Sequence, residues 1–351
     1  MIPIAWELEK RGIPYKLIDT GQHESLSSSL REQYGIKQPD YSLGNRRSDV
    51  NTLGRGLLWF LVNVAKYALR GQRTKRELFD GLEGVVLVHG DTASTLLSAL
   101  IAKRAGQKVM HIEAGLRSWR LLNPFPEELV RILVMRMSDY LIAPSQPAHD
   151  NLMAMSLRAN SWHVGGNTGI DIVAADMQKT GKEPTALTGS YCVVTIHRME
   201  TLYSRSRMKL VVDSIVRAQK RIPVLFVQHA PTARRLAKYG MQQDLKKSGV
   251  KMLDLMAHAD FIHLLKDAEF VMTDGGSVQE EAAYLGVPCL LMRMATERSD
   301  GLDANVVLSK MDRTRIESFV NDYRKYKRPR FDFESLRPSA GIVDILDSLL
   351  D

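Results

Sequence analysis

The feature that most constrains this chain is the run from Val85 to Arg131, where β-rich segments and helical periods alternate across tight turns. The pattern predicts a strand from Val85 to His89, a turn at Gly90 and Asp91, and a helix from Ala93 to Arg104. A strand from Lys108 to Glu113 follows, and then a long loop that enters a second helix at Pro126. Units of this kind pack as a parallel sheet covered by helices. In such sheets ligands occupy the crevice beyond the carboxyl ends of the strands. Asp91, Glu113 and Glu127 each fall just past a strand end or at the helix start that follows it, so three carboxylates are expected to face one crevice.

Upstream, Ile2 to Arg11 reads as a helix and Tyr15 to Asp19 as a strand running into Thr20-Gly21-Gln22-His23. Doubly wound domains open with a central strand, so a first strand is expected ahead of residue 1. Downstream come strands at Asp139 to Ala143 and Trp162 to Val164. A polar stretch between Lys179 and Ser190, with Gly181, Pro184 and Gly189, reads as a linker or surface loop. From Tyr191 to Met292 five further strands alternate with helices, which predicts a second parallel sheet. The chain is thus expected to be α/β, with two Rossmann-like domains. The first spans residues 1–168, with a C-terminal helix within 336–351 packing back on it, and the second spans 169–335.

The net charge of +8 favours anionic partners. The basic residues are scattered and no recognition motif accompanies them, so nucleic acid is not expected. Cys192 and Cys289 sit in apolar strand-like runs without metal-ligand spacing, as buried reduced thiols of a cytoplasmic protein would. No secretory signal pattern opens the sequence. The most hydrophobic segment, from Leu57, is broken by Asn63 and Lys66 and is shorter than the roughly 20 residues that span a bilayer. It reads as a helix packed on the sheet.

In the second half, Asp274-Gly275-Gly276-Ser277 follows a strand and opens a helix. Glycines let a phosphate approach the backbone, and a helix N-terminus offers unpaired N–H groups. The same turn also has an ordinary structural use. Glu280 and Glu281 read either as first-turn acids or as acceptors for the two hydroxyls of a ribose. His197-Arg198 and His229 end neighbouring strands, where an imidazole can donate to a phosphate oxygen or act as an acid. Asp91 has a structural alternative as a helix N-cap, and Glu127 has one as a first-turn acid behind a proline at N1. Glu113, ending a buried run, needs a partner, for which Arg117 is the candidate.

His89-Gly90-Asp91-Thr92, His111-Ile112-Glu113-Ala114-Gly115-Leu116-Arg117, Pro126-Glu127-Glu128, Gly166-Asn167-Thr168, His197-Arg198, Asp274 to Glu281 and Thr296-Glu297-Arg298 together resemble the UDP-N-acetylglucosamine 2-epimerases, in the family's order. The resemblance implies the glycosyltransferase-B arrangement, with a UDP-sugar in a cleft between two Rossmann-like domains. It also implies interconversion of UDP-N-acetylglucosamine and UDP-N-acetylmannosamine through 2-acetamidoglucal, supplying surface polysaccharide. A hydrolysing relative that releases N-acetylmannosamine and a non-catalytic UDP-sugar binder are the alternatives. Carried over by motif, Asp91, Glu113 and Glu127 are acid/base groups and His197 supports the phosphates. Asp274, Gly275, Gly276 and Ser277 hold the diphosphate with Arg298 nearby, Glu281 the ribose, and Phe261 lies by the uracil. Gln22 lies near the sugar or an allosteric site. No metal or nicotinamide is implied, and a homodimer is.

Three departures from the family pattern stand out. The sequence starts just after the family's first strand and its arginine-bearing loop. The His-Arg-Arg-Glu-Asn motif reads His197-Arg198-Met199-Glu200-Thr201, with one positive charge fewer. The usual Asp-Ser-Gly-Gly reads Asp274-Gly275-Gly276-Ser277, which moves the hydroxyl by two positions.

Overall fold

A computed structural model describes residues 1–22, 24–44, 53–119, 126–157, 160–179 and 189–350. His23, residues 120–125 of the loop before Pro126, and Gly181 and Pro184 of the expected linker lie outside the described residues. By its internal contacts the chain divides into two compact units, Met1–Thr168 with Leu336–Asp351, and Gly169–Ser335.

The first unit holds a four-stranded parallel sheet, in the order Val85–His89, Lys108–Ile112, Tyr140–Ala143 and Ser161–His163. Val85 lies opposite Lys108 and His89 opposite Ile112. The chain therefore leaves both strands at the same level, through Gly90 on one and Glu113 on the other. A separate parallel pair joins Ile18–Asp19 to Tyr41–Ser42. The strand expected over Tyr15 to Asp19 is realised only in its last two residues. Further back, Lys37 donates to the Tyr15 carbonyl and Asp40 accepts the Leu17 amide, so loop side chains replace a ladder partner.

Helix Pro338–Leu350 returns to this unit. Ile342, Val343 and Leu346 pack with Ile4 and Leu8 of helix Ile2–Lys10 and with Met110, Ile112 and Ile142 of the sheet. Fully burying an aliphatic side chain of this size stabilises a fold by roughly 1.5–3 kcal/mol. Helix Leu53–Lys66 turns Trp59, Phe60 and Val64 towards Leu97 and Ile101. Its opposite face exposes Leu57, Leu58, Leu61 and Val62. Among the described residues no helix is long and apolar enough to cross a membrane.

The second unit is built on six parallel strands, in the order Lys251–Asp254, Val224–Gln228, Cys192–Thr195, Phe270–Thr273, Cys289–Leu291 and Val306–Leu308. Numbered along this unit's chain that order is 3-2-1-4-5-6, the doubly wound arrangement. It reverses between Cys192–Thr195 and Phe270–Thr273, which is where such a sheet opens a ligand crevice. Both of these strands are wholly buried, as their unbroken apolar runs require of a sheet covered on two faces. Cys192 and Cys289 lie inside the sheet, and burial pushes both thiols well above the ordinary range.

Candidate active site

In the first unit the carboxylates emerge at adjacent strand ends. Gly90 turns the chain out of its strand with φ 73°, a conformation that favours glycine. A Cβ there would come within 3.2 Å of the Glu113 carboxylate. The Gly90 carbonyl accepts from His111 Nε2 at 2.8 Å. His111 is fully buried, and that burial pushes its pKa down to about 4, so the donor is a neutral imidazole.

Thr92, not Asp91, caps helix Ala93–Arg104, in a reciprocal capping box with Thr95. Asp91 instead accepts from the Arg131 guanidinium. Glu113 has φ 69°, left-handed backbone on a non-glycine residue, and is only 9% exposed. Such conformations cost about 1–3 kcal/mol and concentrate at functional sites. Its carboxylate receives Asn167 Nδ2 at 2.7 Å, and His89 Nδ1 lies 4.0 Å away.

Arg117 does not take the role expected of it. It donates from Nε to Glu128 at 2.6 Å, and Arg131 donates to the same carboxylate at 2.7 Å. The cause is burial, because Glu128 is fully enclosed on the inner side of helix Glu127–Met137 and draws both cations. Burial alone would raise the Glu128 carboxyl. Hydrogen bonds from Arg117 and the Ser118 amide, with the Arg131 charge, outweigh it and hold the group below its ordinary value. Pro126 is the N-cap of this helix, not its first residue, so Glu127 occupies N1, where its Oε2 is enclosed without a hydrogen bond among the described residues. Gln22 accepts from Ser94 Oγ in the helix that follows Asp91.

In the second unit Asp274 is fully buried. Its two oxygens accept the backbone N–H groups of His197 at 2.9 Å and Arg198 at 3.1 Å, locking that loop to the strand end beside it. It thus anchors the loop from within, and the parts of the turn left to meet a ligand are backbone and neighbours. Gly275 is the N-cap and Gly276 the first residue of helix Gly276–Leu285. A Cβ on Gly275 would lie 2.7 Å from His197 Cε1, and one on Gly276 would lie 2.8 Å from Arg298 Nε. The two glycines therefore let an imidazole and a guanidinium close on the same helix N-terminus, a site suited to an anion. Ser277 is exposed at this end.

The His229 ring lies 4.7 Å from that of His197. Burial, and then the His197 neighbour, lower its pKa. Arg198 reaches Glu297 at 3.9 Å, and Arg298 donates to Glu280. Glu281, one helical turn in, is 9% exposed and bonds His258 Nε2 at 3.1 Å. Phe261 lies on helix His258–Lys266, half-buried.

Arg131 and His258 as partners of site carboxylates, and the contacts of Asn167 and Glu128, were not among the expectations from sequence. Arg131 was detectable from helical spacing, three residues beyond Glu128. No group of three or more His, Cys, Asp or Glu side chains able to hold a metal ion occurs among the described residues.

The family model for UDP-N-acetylglucosamine 2-epimerase matches residues 7–346. A UDP-N-acetylglucosamine 2-epimerase of Methanocaldococcus jannaschii is 30% identical, over 98% of this chain and 94% of its own. One of Bacillus subtilis is 31% identical, over 93% and 85%. Among solved structures, the M. jannaschii enzyme in complex with UDP-GlcNAc and UDP superimposes with a TM-score of 0.81 at 29% identity, over 99% of this chain and 95% of that one.

Proposed function

Because the chain belongs to the UDP-N-acetylglucosamine 2-epimerase family, we propose that it interconverts UDP-N-acetylglucosamine and UDP-N-acetylmannosamine through elimination and re-addition of UDP. The C2 proton has no neighbouring carbonyl to acidify it, so its removal must accompany departure of UDP from C1. A carboxylate takes the C2 proton, the C1–O bond breaks towards UDP, and 2-acetamidoglucal remains. A proton then returns to the opposite face of C2 as a UDP oxygen rebonds to C1. Inversion thus needs acid/base groups serving both faces, and Asp91, Glu113 and Glu127 supply them in this reading.

The helix N-terminus at Gly275 and Gly276, with His197 and Arg298, stabilises the charge gathering on the departing diphosphate. Glu281 takes the ribose, Phe261 stacks by the uracil, and Gln22, Arg198 and His229 line the substrate. Arg117 acts through Glu128. The observation that carries the reading is Glu113, a carboxylate kept enclosed in a left-handed conformation and given its own amide donor in Asn167. Packing alone gives no reason to retain an acid there.

NMR of UDP-N-acetylglucosamine incubated with the protein in heavy water tests it. UDP-N-acetylmannosamine carrying deuterium at C2 is expected, and exchange should vanish in Asp91→Asn and Glu113→Gln. Free N-acetylmannosamine with UDP would assign the hydrolysing reaction instead. Unchanged substrate would refute catalysis altogether.

A further inference from the structure

His258 opens the helix His258–Lys266 and is held at both ring nitrogens by carboxylates. Nδ1 lies 2.7 Å from Asp176 Oδ2 and Nε2 lies 3.1 Å from Glu281 Oε1. Ionised carboxylates only accept hydrogen bonds, and an imidazole that donates to two of them, one from each ring nitrogen, is a cation. Asp176 is fully buried in helix Gly169–Gln178, and its other oxygen receives Lys179 Nζ at 2.6 Å. Three helices are thereby joined through one ring.

Glu281 Oε2 is enclosed and has no hydrogen bond among the described residues, whereas buried carboxylate oxygens normally have partners. With Oε1 taken by His258, the carboxylate, and with it the second oxygen, is held in one orientation. The residue stands one turn inside the helix whose N-terminus carries His197 and Arg298.

We propose that His258 is a positioning residue for nucleotide recognition: anchored by Asp176, it fixes the Glu281 carboxylate so that the remaining oxygen accepts the ribose hydroxyls of a uridine diphosphate. The inference rests on the UDP-sugar reading above and adds to it the device that orients the ribose acceptor. Burial alone would lower the His258 pKa, but the bonds to Asp176 and Glu281 reverse this and push it up to about 9, so the clamp stays charged at neutral pH. Lys179 on the Asp176 side adds a second cation, so that Lys179 with His258 offsets the two carboxylates.

Calorimetric titration of the full chain with UDP and with 2′,3′-dideoxy-UDP tests the proposal. The wild type should prefer UDP. His258→Phe should lower that preference by about tenfold, the worth of a charge-assisted hydrogen bond, while the affinity for the dideoxy analogue holds. His258→Gln, whose amide still donates to Glu281, should recover part of the preference, and a merely structural role would predict no such pattern. If the phenylalanine variant does not fold, Asp176→Asn replaces it, and the preference should fall there too. Full preference in these His258 and Asp176 variants, with loss in Glu281→Gln, would overturn the role of His258 and leave the UDP reading intact. A wild type that fails to bind UDP would overturn both.

Discussion

Glu128→Gln separates the support of the site from its chemistry. The carboxylate accepts Arg117 Nε at 2.6 Å on one oxygen, and Arg131 Nη1 at 2.7 Å with the Ser118 amide at 3.2 Å on the other. A glutamine offers a single oxygen, so in either orientation its NH2 faces a guanidinium donor. Both arginine side chains are less than a tenth exposed, and water offers little relief. Removing one member of a buried ion pair costs about 3–5 kcal/mol, since the remaining charge stays buried. For a unit of this size each kcal/mol moves the midpoint by roughly 2–4 °C, so the melting temperature should fall by about 6–20 °C.

The effect has a pH signature. Glu128 is held below its ordinary value in the fold, so the unfolded chain binds the extra proton and stability rises with pH. The contribution is complete above the unfolded carboxyl range and is lost as pH falls through the folded value. The gap between wild type and variant should therefore narrow in acid. Scanning calorimetry of both proteins between neutral pH and pH 3 measures it. A fall below about 2 °C at neutral pH, or a gap that widens in acid, would refute the reasoning. Replacing Arg117, Glu128 and Arg131 together by apolar residues of similar volume should recover much of the stability, as buried ion clusters often allow. It should not recover turnover, because Asp91 then lacks the guanidinium that holds it.

Two further outcomes follow from the same contacts. Gly275→Ala places a methyl 2.7 Å from His197 Cε1; the ring must move off the helix end, and calorimetry should show UDP binding weakened about tenfold or more with little change in melting temperature. Asn167→Asp sets a second carboxylate where an amide now donates to Glu113 at 2.7 Å; like charges disfavour joint ionisation, so the limb of the kcat/KM profile that needs an ionised acid should move to higher pH.

The periodicity of the chain carried the architecture because strands and helices here are local in sequence. Helix Ala93–Arg104 begins and ends where its apolar spacing places it, and the expected strands from Val85 onward fall within a residue or two of their β-rich runs. Lys108–Ile112 stops one residue before Glu113, and Cys192–Thr195 two before His197, because these residues leave the ladder to form the site. Partnerships were less legible. The Asp91 contact with Arg131 spans 40 residues and the His258 contact with Asp176 spans 82, distances over which no spacing rule operates. The pairing expected of Arg117 with Glu113 failed because the fully buried Glu128 takes the guanidinium instead. The strand over Tyr15 to Asp19 shrank because Lys37 and Asp40, remote in sequence, satisfied its backbone.

Thr92 carries the helix cap and Asp91, one residue earlier, carries the charge. The helix cap and the carboxylate charge are thus assigned to adjacent but separate side chains at this turn. In the proposed reaction, a descendant that exchanged Asp91 for asparagine would lose an acid/base group and also the charge that meets the buried Arg131 guanidinium, so it should melt lower as well as turn over more slowly. Stability and the proposed acid/base role therefore meet in Asp91, whereas a change at Thr92 would remove the helix cap alone.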